Sequence, residues 1–68
     1  MKNNILTKRE KEIFRLLVEN YSILDISKKL KISDKTVRNH ISNVIQKLYV
    51  ADRCQAIILL LKLKELCL

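Results

Sequence analysis

The sequence contains no glycine, no proline and no tryptophan. Without Gly and Pro a chain cannot readily build the turns of a β-sandwich or barrel, nor a Gly-rich phosphate loop, so helices are the element it is equipped to form. Cysteine is scarce too. Cys54 and Cys67, with His40 as the one histidine, match neither a zinc spacing nor a disulfide framework, and a reducing, cytoplasmic setting is expected. The longest apolar run, Ala56 to Leu61, falls far short of the ~20 residues a membrane span needs. The start, Met1-Lys2-Asn3-Asn4, leads into no long apolar stretch of the signal-peptide kind, so no membrane partner is expected. Acid is the scarce charge: 7 Asp and Glu stand against 14 Lys and Arg, a formal +7 at pH 7 that favours a polyanionic partner, nucleic acid ahead of a membrane. The 68 residues leave room for one domain, 1–68 with a tail over 1–5, and exclude a multi-domain enzyme. A chain this short buries only ~60% of its unfolded surface. With no metal, cofactor or disulfide indicated, a partner subunit is the expected source of added stability.

What is present is a series of helix starts. Thr7-Lys8-Arg9-Glu10 has the capping-box pattern, and Ile13, Leu16 and Leu17 follow at helical spacing, predicting a first helix near 8–19. Ser22 with Asp25 repeats the cap for a short helix over 23–30, Ser33 caps a third over 34–48, and Asp52 with Gln55 opens a fourth over 53–66. The expected fold is all-α, a compact four-helix unit with connections of two to four residues.

The third helix has the clearest face. Val37, Ile41, Val44, Ile45 and Leu48 gather on one side at 100° per residue, while Lys35, Thr36, Asn39, Asn43 and Gln46 stand opposite, flanked by Arg38 and Ser42. Asn and Gln can read adenine bidentately and Arg can read guanine, although an ordinary solvated face has the same composition. Its neighbour adds weight to the first reading. The second and third helices, joined by Lys31-Ile32-Ser33 with Ile32 expected to be buried, have helix-turn-helix spacing, and the second member of such a pair presents its N-terminal half to the major groove. Residues 28–47 carry six basic side chains against Asp34 alone. Double-stranded DNA is therefore the expected partner.

Leu6-Thr7-Lys8-Arg9-Glu10, Asp25-Ile26-Ser27, the run Ile32 to Ile41, Lys47-Leu48 and Arg53-Cys54-Gln55-Ala56 resemble the LuxR/NarL-type helix-turn-helix family over about 6–60. The resemblance is strongest to members that consist of this domain alone and regulate sporulation. It implies base contacts from Arg38, Asn39 and Ser42, to which the polar face of the third helix adds Asn43, and backbone contacts from Ser33, Lys35, Thr36 and, more weakly, Lys47. It also implies dimerisation through the fourth helix. RNA polymerase is a further candidate partner of a promoter-binding protein. The receiver or ligand-binding domain common in the family has no counterpart here, so control by the amount of protein is the expected mode. Asn20 and Tyr49 stand where the family often has Gly; a left-handed Tyr would be strained, so the exit from the third helix is expected to be shaped differently. Ser27 replaces the usual Ala.

The fourth helix is apolar nearly all round. Ala56, Ile57, Leu60 and Leu63 are expected in the core, leaving Cys54, Ile58 and Leu61 as a second stripe suited to a symmetric homodimer. His40 reads as a packing residue, the cysteines as small apolar fillers, and Glu10, Glu12, Arg9 and Arg15 as solvated pairs. No residue is a candidate for catalysis. Three alternatives stay open: the effector domain of a larger response regulator, a sigma-like promoter module, and a helical module that docks on another protein.

Overall fold

The computed structural model describes residues 6–63, which form four helices: α1 (Lys8–Val18), α2 (Ile23–Leu30), α3 (Asp34–Leu48) and α4 (Arg53–Lys62). The starts follow the caps. The Glu10 amide donates to Thr7 Oγ1 at 3.2 Å and the Thr7 amide to Glu10 Oε1 at 2.9 Å, a closed capping box. Ser22 and Asp25 close a second box (3.0 and 3.5 Å). Ser33 Oγ accepts from the Thr36 amide at 3.1 Å, and Asp52 Oδ1 from the Gln55 amide at 3.0 Å. The expected tail over 1–5 and the expected extension of α4 over 64–66 lie outside the described residues.

The helix ends show how a chain without glycine turns corners. Asn20, Lys31 and Tyr49 all have positive φ, at 72°, 58° and 55°. Each is followed by a residue whose amide reaches five positions back: Tyr21 to the Leu16 carbonyl, Ile32 to Ser27 and Val50 to Ile45. These are Schellman closures. The three following residues, Tyr21, Ile32 and Val50, all pack against the core. The exit from α3 thus has the ordinary left-handed geometry despite Tyr49, contrary to the expectation of a different shape. The apolar anchor and the backbone bond hold a side chain where glycine would be easier. Ile32 is half-buried rather than fully buried.

One core joins the helices. Ile13, Phe14, Ile26, Val37, Val44, Ala56 and Leu60 are fully buried, with Leu6, Leu16 and Ile41 nearly so. α3 packs against each of the other three helices, which fixes its inner face and leaves the outer one free. Ser27, also buried, returns its hydroxyl to the Leu24 carbonyl at 2.7 Å, so it fills a close-approach position without an unmet donor. In α4 the division differs from expectation. Ala56 and Leu60 are core and Ile57 packs against it, but Leu63 is 48% exposed, while Leu61 of the expected outer stripe is half-buried against the core. Among the described residues no helix is long and apolar enough to cross a membrane.

Candidate nucleic-acid interface

The helix-turn-helix comprises α2, the corner at Lys31 and Ile32, and α3. Burial of Val37, Ile41 and Val44 sets the rotation of α3, so the opposite side must face outward. Lys35, Arg38, Asn39, Ser42, Asn43 and Gln46 are all exposed there. Of the four residues expected to touch bases, Arg38 and Asn39 lie in the N-terminal half of α3, with Ser42 and Asn43 about one turn further on.

The start of α3 is more organised than the sequence implied. Ser33 Oγ lies 2.9 Å from Thr36 Oγ1 while it also caps the Thr36 amide. The two hydroxyls expected at the DNA backbone therefore form a linked pair, one of them still able to offer a hydrogen to an incoming oxygen. Lys35, between them in sequence, is exposed. The helix N-terminus adds its partial positive charge at the same place.

Lys47, the fourth residue expected at the backbone, is placed differently from the others. Its Nζ lies 2.6 Å from Glu10 Oε1, although the two residues are 37 apart in sequence. Glu10 is buried, only 3% exposed, which corrects its reading as part of a solvated pair. Arg9 and Glu12 do form an exposed pair at 3.3 Å. Burial by itself pushes the Glu10 carboxyl upward. Hydrogen bonds from Lys47 and the Thr7 amide, with the charges of Lys47 and His40 nearby, outweigh it and hold the carboxyl below its ordinary value. Sequence reasoning missed this pair because no local periodicity links the first turn of one helix to the last turn of another; the unexpected signal was an acid placed where the helix turns inward.

On α4, Cys54 and Ile58 of the expected dimer stripe are exposed, Ile58 by 55%. Among the described residues no group of His, Cys, Asp and Glu could hold a metal ion.

The comparisons with known proteins agree with this geometry. The family model for bacterial regulatory proteins of the luxR family, named GerE, matches residues 4–60. The spore germination protein GerE of Bacillus subtilis (strain 168) is 55% identical over 62 residues, covering 91% of this chain and 84% of that protein. The transcriptional regulatory protein DegU of Brevibacillus brevis is 49% identical over 55 residues, 81% of this chain but only 23% of DegU. The response regulator protein VraR of Staphylococcus aureus (strain NCTC 8325 / PS 47) is 46% identical over 54 residues, 79% of this chain and 26% of VraR. A solved structure of the transcription factor GerE superposes with a TM-score of 0.93 at 65% identity, covering 96% of this chain and 97% of that one. These are regulators of transcription and not enzymes. Matched over residues 4–60 and superposable on GerE over nearly its whole length, this chain belongs to the LuxR family of bacterial regulatory proteins and is a DNA-binding transcriptional regulator like GerE.

Proposed function

We propose that the protein binds a double-stranded promoter site in the cytoplasm as a homodimer, each subunit laying α3 into the major groove of one half-site. The observation that carries this reading is the two-sided character of α3: Val37, Ile41 and Val44 lock one face into the core, while Arg38, Asn39, Ser42 and Asn43 are exposed on the other. Arg38 and Asn39 suit guanine and adenine edges, with Ser42 and Asn43 beside them. Ser33, Lys35 and Thr36 would grip phosphates at the start of the helix. Lys47 would do so only with an ammonium shared with Glu10. The exposed Ile58 and Cys54, with the half-buried Leu61, support pairing through α4. A C2 interface there would present two recognition helices to a palindromic site. RNA polymerase is the partner on which a promoter-bound regulator would act. The likeness to a spore germination protein supports genes of sporulation as targets.

Likeness to DegU and VraR supports a second reading, in which these residues serve as the effector domain of a longer response regulator. The groove chemistry is the same in both.

Selection of bound duplexes from a random library at near-physiological salt tests the proposal. Enrichment of paired half-sites about one helical turn apart is the expected result. A single enriched half-site would remove the symmetric dimer, and binding without enrichment that vanishes as salt rises would remove sequence reading altogether.

A further inference from the structure

Tyr49 is 95% exposed, the most exposed large apolar side chain among the described residues. It is also held at φ 55°, ψ 43°, a left-handed conformation that is unfavourable for any residue with a Cβ. Its backbone is accounted for by the closure of α3, yet its ring gains no packing in return. A strained position occupied by a large side chain that buries nothing points to a surface role.

The position of Tyr49 indicates which role. At 100° per residue, Lys35, Arg38, Asn39, Ser42 and Gln46 fall within one stripe about 100° wide along α3, and Tyr49 is the cap residue that follows Leu48 at the end of that helix. That stripe is the side turned away from Val37, Ile41 and Val44. From Ser42 to Tyr49 the helix rises ~10 Å, and the major groove is ~12 Å wide. With Asn39 and Ser42 over base edges, the start of α3 meets one phosphate wall through Ser33 and Lys35. Its end carries Tyr49 towards the opposite wall. A phenol hydroxyl there is a neutral donor of the kind that binds phosphate oxygens in protein–DNA interfaces.

We infer that Tyr49 is a DNA-backbone contact, a hydroxyl that grips a phosphate at the far edge of the groove and fixes the tilt of α3. This rests on the placement of α3 in the groove proposed above. Its competitors are a Tyr49 that stands clear of DNA and one that reads a base.

The test is fluorescence anisotropy on a selected duplex and a scrambled one, with Tyr49→Phe, Tyr49→Ala and, as the control for the groove reading, Arg38→Ala. Tyr49→Phe should bind both duplexes about three- to tenfold more weakly. The ratio between duplexes should not change, and because the phenol is uncharged the salt dependence should not change either. The thermal midpoint should match the parent, since the ring is in solvent. Ethylation interference should lose one phosphate in each half-site. If both Tyr49 variants bind within twofold of the parent while Arg38→Ala loses discrimination, Tyr49 stands clear of DNA and the groove reading survives. If Tyr49→Phe changes the ratio between duplexes, it reads a base, and the phosphate assignment is wrong. Unchanged discrimination in Arg38→Ala would overturn the groove placement and the Tyr49 contact together.

Discussion

The Lys47 ammonium, at the end of α3, lies 2.6 Å from the buried Glu10 carboxylate in the first turn of α1. The same carboxylate closes the α1 capping box through the Thr7 amide, so one side chain ties the start of α1 to the end of α3. The arrangement is both a local cap and a long-range tether.

Replacing Glu10 by Gln keeps a partner for the Thr7 amide but removes the charge facing Lys47. The expected loss is about 2 kcal/mol, the scale of a hydrogen bond to a charged group, read as a fall of about 10 °C in the thermal midpoint. Because the Glu10 carboxyl is held below its ordinary value, its contribution is complete above the usual carboxylate range. It is lost as pH falls through the lowered value. The stability gap between parent and Glu10→Gln should therefore be constant near neutrality and close on acidification. A gap that widened in acid would contradict the direction of the shift.

Glycine at the three left-handed corners should stabilise the protein unequally. Tyr49→Gly and Lys31→Gly relieve a Cβ clash, for a net gain of about 0.5–1 kcal/mol after the extra freedom of glycine in the unfolded chain. Asn20→Gly should gain less, since Asn tolerates this conformation. Chemical denaturation of the three variants ranks them. An equal gain at all three would mean that side-chain identity is irrelevant at these corners.

Base and phosphate contacts should separate in binding assays. Arg38→Ala and Asn39→Ala are each expected to lose about 1–3 kcal/mol of discrimination between duplexes. Lys35→Ala should weaken every duplex alike and lower the salt slope by about one. Asn39→Ala with an unaltered preference would show that the reading face lies elsewhere.

Ile58→Asp places a charge on the exposed side of α4 without touching the core residues Ala56 and Leu60. Sedimentation equilibrium should show a dimer for the parent and a folded monomer for the variant, with half-site binding retained. A dimer of unchanged stability would move the interface off this stripe.

Much of the fold could be read along the chain because helix starts are local chemistry. Thr7, Ser22, Ser33 and Asp52 each announce a helix within four residues, and all four caps form as spaced. The two-sided pattern of α3 was equally local, and with it the candidate reading face. α4 was less legible: with apolar residues on every side, periodicity could not assign Leu61 inward and Leu63 outward, a choice made by the neighbours that α4 packs against.

The sequence by itself determined four capped helices, the spacing of the helix-turn-helix and an excess of positive charge around it, since each rests on interactions between residues close in the chain. Tertiary structure decided the rest. It drew Glu10 under Lys47 because α1 crosses α3 with the core closed between them. It also held Lys31 and Tyr49 in a conformation suited to glycine, because anchoring Ile32 and Val50 on the core outweighs the local strain. Preferences of single residues are worth about 1 kcal/mol, and burial shared among four helices is larger.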